Sequence, residues 1–166
     1  IDIKKDSILG RANEKYERGE INTAQFVESL KKELDVDITD EEVLEGWNKI
    51  FVGENLGIRD NIDRLVSKYP LYIFSNTSVS HAEFWRNEYS ELLKHFQKIF
   101  TSFELGMRKP EKESFLEVCS QMDVLPEKIL FFDDTEENII AANDLGMNAV
   151  KVDSIQDISE TIDKLC

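Results

Sequence analysis

The chain has 166 residues, of which 41% are hydrophobic and 33% charged, and its formal net charge is −14. This composition predicts a globular domain with a buried core and excludes a disordered chain. The excess of acidic residues argues against a nucleic-acid partner or an anionic membrane surface, because both attract Lys and Arg. No apolar run approaches the roughly 18 residues of a membrane span. Two distant cysteines favour a reducing compartment, so we expect a soluble, cytoplasmic protein.

The first third of the chain has the pattern of a small helical domain. Capping residues followed by apolar residues at helical spacing predict helices over residues 7–17, 22–34 and 39–51. We expect Asn22 or Thr23 to cap the second helix, and Thr39 or Asp40 to cap the third. This pattern places a helical domain at residues 1–55.

Helices and apolar strands alternate through the rest of the chain. We predict helices at residues 58–68, 78–93, 111–122, 136–145 and 155–165, and strands at residues 71–74, 99–103, 129–132 and 149–152. This alternation is typical of a parallel sheet that is covered by helices on both faces. The sequence therefore predicts an α/β fold with a Rossmann-like core over residues 56–166.

Polar residues of complementary chemistry follow two of these strands. Ser75 and Asn76 come directly after the first strand, Asp133 and Asp134 come directly after the third, and Lys109 lies in a loop that leads into a helix. Ligands of open α/β sheets bind at the carboxyl ends of the strands. We therefore expect Ser75, Lys109 and Asp134 to converge in one cleft at that edge.

These residue types suit a phosphoryl group and a hard divalent cation. Carboxylate oxygens are the ligands that Mg²⁺ selects, a lysine can neutralise phosphoryl oxygens, and a hydroxyl with nearby amides can hydrogen-bond them. Taken singly, each feature has a plainer interpretation: the Asp pair caps a helix, the Ser-Asn-Thr run forms a turn, and the lysine lies at the surface. Their joint occurrence favours the phosphate site.

Three motifs together resemble those of the haloacid dehalogenase-like hydrolases. They are Ser75-Asn76-Thr77, then Gly106-Met107-Arg108-Lys109-Pro110, then Phe131-Phe132-Asp133-Asp134-Thr135-Glu136-Glu137-Asn138. Residues 17–21 are similar to the helical cap of the same superfamily, which implies that the domain at residues 1–55 is a cap. The resemblance extends over essentially the whole chain, and it is nearest to the bacterial α-D-glucose-1-phosphate phosphatase-like group.

The resemblance implies a Mg²⁺-dependent phosphatase that acts on a small phosphorylated metabolite through an aspartyl-phosphate. Ser75 would bind the phosphoryl group through its hydroxyl, with help from the backbone at Asn76. Lys109 would stabilise the phosphoryl charge and the nucleophile. Asp134 would be the Mg²⁺ ligand, and Asp133 would support it through the water shell of the metal.

The sequence departs from the family at the nucleophile, an aspartate on a first strand that precedes the cap. The chain starts with Ile1-Asp2-Ile3-Lys4-Lys5, and we do not assign the nucleophile to Asp2. We therefore expect the chain as given to be inactive. In the family that strand lies between the strands predicted at residues 71–74 and 129–132. We expect one of three outcomes: the two strands pair directly, another segment or chain fills the gap, or the native protein contains the strand. The intact cap and C-terminal half favour the third.

Other functions remain open at this stage. The chief alternative is a non-catalytic relative that keeps a phosphate- or metal-binding cleft, or only a protein-binding surface. A receiver-type signalling domain also has an acid pair, a hydroxyl residue and a lysine, but its acid pair comes on the first strand. A dehalogenase is disfavoured by the Asp pair, because carbon–halogen displacement needs no Mg²⁺. Away from the motifs, we expect His81 at the surface.

Overall fold

The computed structural model describes residues 8–35 and 37–165. The expectation for Asp2 lies outside the described residues. The helices are α1 (Ile8–Glu17), α2 (Thr23–Leu34), α3 (Asp40–Asn48), α4 (Ile58–Val66), α5 (Val79–Glu88), α6 (Ser90–Leu93), α7 (Ser102–Leu105), α8 (Lys112–Met122), α9 (Glu136–Asp144) and α10 (Ile155–Leu165). The strands are β1 (Tyr72–Ser75), β2 (Lys98–Thr101), β3 (Leu130–Asp133) and β4 (Asn148–Lys151). None of the described helices is both long and apolar enough to cross a bilayer.

Local capping chemistry explains where the early helices begin. Asn22 caps α2 by accepting a hydrogen bond from the Gln25 backbone N–H, and the Gln25 side chain accepts one from the Asn22 N–H. Thr39 and Glu42 form the same reciprocal pair at the start of α3. These reciprocal pairs, known as capping boxes, supply acceptors for backbone N–H groups that have no partner within the first turn of a helix. They select Asn22 and Thr39 from the two candidates that the sequence offered for each helix.

The α/β fold class is confirmed, but the strands lie in two pairs within the described part of the chain. β1 is hydrogen-bonded to β2, and β3 pairs in parallel with β4, with Phe131 opposite Ala149 and Phe132 opposite Val150. Within that part, β1 and β3 are not neighbours in either sheet, so they do not pair directly. Of the three outcomes that the sequence left open for these two strands, direct pairing of β1 with β3 is therefore wrong.

The second strand is shorter than predicted. We expected a strand over residues 99–103, but β2 ends at Thr101 and α7 begins at Ser102. The Thr101 hydroxyl donates to the Glu104 carboxylate, which closes the first turn of α7 and favours helix over further strand. Ser102 is completely buried there.

The described chain divides into two compact units. Unit 1 comprises Ile1–Gly53, Ser75–Leu93 and Thr101–Arg108, and unit 2 comprises Glu54–Phe74, Lys94–Phe100 and Lys109–Cys166. The change of unit after Gly53 lies close to the predicted domain boundary, but unit 1 also takes in two later segments. The assignment of residues 1–55 as a cap domain stays a prediction.

Unit 1 has an aromatic core centred on the first two helices. Tyr16 stacks on Phe26 at 4.4 Å between ring centroids, and Trp47 meets Phe26 edge-on at 4.8 Å. The expectation that His81 lies at the surface is wrong: it is 8% exposed, and its ring stacks on Trp47 at 4.9 Å. The polar residues around His81 in the sequence gave no sign of this, because the contact comes from a segment 34 residues away.

The core of unit 2 joins the helices to both strand pairs. Phe115 on α8 meets the ring of Phe74 on β1 and the ring of Phe131 on β3, both edge-on, at 5.4 and 5.5 Å. Cys119 and Met147 are buried in the same cluster. This packing places the ends of β1 and β3 on a common hydrophobic support.

Candidate active site

Lys109 is a buried cation at the ends of two strands. Its side chain is 9% exposed, and its ammonium donates to Asp133 Oδ2 at 2.6 Å and to the carbonyl oxygen of Phe74 at 2.8 Å. Asp133 is the last residue of β3, and Phe74 is the residue before Ser75 in β1. Within unit 2, the structure therefore brings Lys109 to the carboxyl ends of both strands, as the motif order predicts.

Two aromatic rings surround this ammonium. Lys109 Nζ lies 5.1 Å from the ring centroid of Phe74 and 5.4 Å from that of Phe131. Ring faces attract a cation, and their bulk keeps water away from it. Coulombic interactions are stronger in such surroundings than in open solvent, which strengthens the ion pair between Lys109 and Asp133.

Asp133 uses both of its oxygens to hold this arrangement. Oδ2 accepts from Lys109, while Oδ1 accepts from the Thr135 backbone N–H at 2.8 Å and from Asn138 Nδ2 at 2.9 Å. Burial acts to raise the pKa of Asp133, but the adjacent Lys109 charge and these hydrogen bonds outweigh it and lower the pKa below its usual value. Asp133 is therefore an ionised carboxylate committed to its neighbours in the protein.

Asp134 has the opposite surroundings. It is exposed, and within the described part of the chain its carboxylate accepts one hydrogen bond, from Thr135 Oγ1 at 3.3 Å. A carboxylate open to solvent is the donor that Mg²⁺ takes, usually together with several waters and substrate phosphate. The described residues contain no group of three or more His, Cys, Asp or Glu side chains that could hold a metal. Asp134 thus fits a Mg²⁺ site as one ligand of an open set.

Ser75 and Asn76 belong to unit 1, at the end of β1 and in the loop that follows it. The Ser75 hydroxyl donates only weakly to the Asn76 carbonyl oxygen, at 3.5 Å, and both residues are half-buried. Ser75 is joined through the chain to Phe74, whose carbonyl binds Lys109. The convergence of Ser75 with Lys109 and Asp134 in one cleft stays a prediction.

Sequence reasoning gave no role to two residues that the structure places at these motifs. Asn138 is 5% exposed and holds Asp133, although it was only the last letter of a motif. Arg108 binds the carboxylates of Glu14 and Glu17 on α1, at 3.3 and 2.8 Å. The signal for Asn138 is its place five residues after Asp133, within the first turn of α9. Nothing in the sequence indicates the partners of Arg108, which lie more than 90 residues away.

Comparisons with known proteins point to one group of enzymes. A family model described as haloacid dehalogenase-like hydrolase matches residues 6–146. The D-ribitol-5-phosphate phosphatase of Bacteroides thetaiotaomicron is 28% identical over 138 residues, which is 80% of this chain and 67% of the relative. An enolase-phosphatase E1 of Persephonella marina is 32% identical over 90 residues, which is 53% of this chain and 39% of the relative. The chain thus spans about two thirds of one relative and two fifths of the other.

Solved structures agree with these matches. A HAD family enzyme of Bacteroides thetaiotaomicron has a TM-score of 0.85 at 26% identity, covering 93% of this chain and 78% of its own. Another crystal structure of that enzyme, with a TM-score of 0.76 at 27% identity, covers 89% of this chain and 75% of its own and is a complex with magnesium and inorganic phosphate.

Proposed function

Because the chain belongs to the haloacid dehalogenase-like hydrolases, we propose that it handles the phosphoryl group of a small phosphorylated metabolite as part of a Mg²⁺-dependent phosphatase. The family resemblance seen in the sequence is confirmed, and phosphatases are among its relatives. The relatives act on different phosphorylated compounds, so the proposal stops at the class of substrate.

The buried Lys109–Asp133 pair carries this proposal. Asp133 holds the Lys109 ammonium at the strand ends, where the backbone of β1 leads into Ser75. An ammonium fixed in advance stabilises the charge that develops on a transferred phosphoryl group without reorganising during the reaction. A lysine with no role beyond solubility would lie at the surface. It would need neither burial nor an aspartate whose two oxygens both accept hydrogen bonds.

Asp134 is the residue that would hold Mg²⁺, with water completing its coordination. When bound, Mg²⁺ would neutralise phosphoryl oxygens and polarise the phosphorus centre. The structural neighbour in complex with magnesium and inorganic phosphate supports the choice of Mg²⁺ as the metal. Asp133 already accepts three hydrogen bonds from Lys109, Thr135 and Asn138, which fits the supporting role that the resemblance implies.

Binding of inorganic phosphate tests the proposal. We expect the chain to bind phosphate in isothermal titration calorimetry with Mg²⁺ present, and Lys109→Met to weaken this binding by at least about tenfold, or 1.4 kcal/mol. Lys112→Met is the matched control, because Lys112 is an exposed lysine three residues later that pairs with Asp144.

Lys109→Met leaves a buried carboxylate unpaired, so the double variant Lys109→Met/Asp133→Asn is measured beside it. The double variant removes both charges, and circular dichroism establishes that each protein is folded. Phosphate binding that survives in both folded variants would contradict the proposal.

A further inference from the structure

Asn76 lies in a short loop without regular secondary structure, directly after Ser75, the last residue of β1. Residues 76–78 lie between the end of β1 and the start of α5 and belong to neither. A loop that binds an anion through a hydroxyl and backbone N–H groups needs those groups fixed in advance. The group that fixes them must therefore come from elsewhere in the chain.

Ser102 satisfies both backbone polar groups of Thr77 in this loop. Its hydroxyl accepts a hydrogen bond from the Thr77 N–H at 2.9 Å and donates one to the Thr77 carbonyl oxygen at 3.0 Å. Ser102 is completely buried, and Thr77 is 4% exposed. Water therefore cannot replace this hydroxyl easily, and its removal leaves two buried backbone groups without a partner.

The neighbours of Ser102 keep the hydroxyl in place. Thr101 donates to Glu104 within α7, and Arg86 on α5 donates to both oxygens of Glu104 at 3.0 and 3.1 Å. Trp85, next to Arg86, donates from Nε1 to Thr77 Oγ1 at 3.3 Å. The loop and α7 are thus tied to the same turn of α5, all within unit 1.

We propose that Ser102 is a positioning residue for phosphate, which holds the backbone at Thr77 so that the hydroxyl of Ser75 and the amide of Asn76 face a bound phosphoryl group. The inference rests on the proposed function and extends it to a residue outside the three motifs. Ser102 acts through Thr77 and does not itself touch phosphate.

The test compares phosphate binding of Ser102→Ala, Ser102→Thr and the unmodified chain by titration calorimetry. Ser102→Ala is expected to raise the Kd for inorganic phosphate by about tenfold, which corresponds to about 1.4 kcal/mol. Ser102→Thr keeps a hydroxyl and is expected to restore binding. Ser159→Ala is the matched control, because it removes a hydroxyl that bonds Asn61 between α4 and α10.

A nuclear magnetic resonance measurement separates positioning from general stability. In ¹H–¹⁵N spectra of the ¹⁵N-labelled chain, Ser102→Ala should shift the Thr77 amide resonance and reduce the response of Asn76 to added phosphate. If Ser102→Ala does not fold, Ser102→Cys, which keeps the side-chain volume with a weak hydrogen-bonding group, replaces it with the same expectation.

Three outcomes would overturn the inference. In the first, a shifted Thr77 amide accompanies an unchanged Kd for phosphate. In the second, Ser159→Ala weakens binding as much as Ser102→Ala. In the third, the unmodified chain binds no phosphate, which overturns the proposed function and the inference together, whereas the first two leave the proposed function standing.

Discussion

The two adjacent aspartates, Asp133 and Asp134, differ because one is buried beside a cation and the other faces solvent. Asp133 accepts three hydrogen bonds inside the protein, one of them from the Lys109 ammonium, so a metal bound there would compete with the lysine for this carboxylate. Its exposed neighbour loses almost nothing on binding a cation. The two adjacent aspartates therefore differ in role: Asp133 binds Lys109, and the carboxylate of Asp134 stays accessible to solvent.

The buried pair makes a prediction about stability. Lys109→Met should lower the free energy of unfolding by about 3–5 kcal/mol, because it leaves the Asp133 charge buried and unpaired. Lys109→Met/Asp133→Asn should cost clearly less, since no buried charge remains. Urea unfolding followed by circular dichroism measures both variants. Equal losses in the single and double variants would contradict this explanation, because removing the unpaired Asp133 charge would then have recovered no stability.

His81 makes a prediction about pH. Burial lowers its pKa below the ordinary range, and the hydrogen bond between Nε2 and the Trp47 carbonyl oxygen opposes that shift only in part. Below the ordinary histidine pKa of about 6.5, the unfolded chain takes up a proton that the folded chain resists. The stability contributed by neutral His81 is therefore complete above that pH and is lost as the pH falls toward the folded pKa.

The measurement is chemical unfolding between about pH 7.5 and about pH 5.5, above the range where most carboxylates titrate. The unmodified chain should lose stability with falling pH, by at most about 1.4 kcal/mol per pH unit for this one proton. His81→Phe keeps an aromatic ring between Trp47 and Phe51 and should show a flatter dependence. Identical slopes for the two proteins would remove His81 as the source.

Among the elements, the turn after α1 depends on a glycine. Gly19 has φ of +69°, a region that favours glycine, and a Cβ there would lie 2.8 Å from the carbonyl oxygen of Phe103 in α7. Backbone atoms cannot move aside as a flexible side chain can. The close approach of this turn to α7 is therefore possible only without a side chain at position 19.

Gly19→Ala should destabilise the chain by about 1–3 kcal/mol, because strain in φ adds to the steric overlap. Gly46→Ala is the matched control: Gly46 lies inside α3 without a positive φ, and a Cβ added there would meet no atom within 4 Å. That change should stabilise the chain by about 0.5–1 kcal/mol, since alanine favours helix. Thermal unfolding measures whether each substitution raises or lowers the stability. A loss of stability in Gly46→Ala would contradict this comparison.

At the scale of the whole molecule, turnover requires more than the residues proposed to bind phosphate. The covalent step that the family resemblance implies needs an aspartate nucleophile, and we assigned that role to none of the residues in the three motifs. We expect this chain to show no burst and no turnover of p-nitrophenyl phosphate with Mg²⁺. We also expect it to bind Mg²⁺ alone more weakly than micromolar, because one open carboxylate with waters is a poor cage.

Calorimetry with Mg²⁺ and a phosphate-release assay measure these two quantities. Asp134→Asn should reduce the weak Mg²⁺ binding, whereas Asp144→Asn, at an exposed aspartate paired with Lys112, should not. Mg²⁺-dependent hydrolysis that Asp134→Asn abolishes would show that the nucleophile lies within this chain.

The sequence by itself determined the fold class, the family, and the order of the strands and most helices, but it merged α5 with α6 and missed α7. These features follow from short-range rules. Capping residues and apolar spacing act over a few positions, and each of the three motifs is an unbroken run of residues. Even so, the sequence did not decide whether Asn22 or Thr23 caps α2. The reciprocal hydrogen bonds between Asn22 and Gln25 in the structure decide it. The sequence also extended β2 into residues that form α7.

Only the tertiary structure decided which side chains are buried and which hydrogen-bonding groups are already in use. Asp133 meets Lys109 across 24 positions, Ser102 meets Thr77 across 25, and Trp47 meets His81 across 34. The pKa of a carboxylate, the burial of a histidine and the partner of a loop carbonyl all depend on such contacts. Residue type and spacing cannot specify these contacts, because each results from how distant segments pack together.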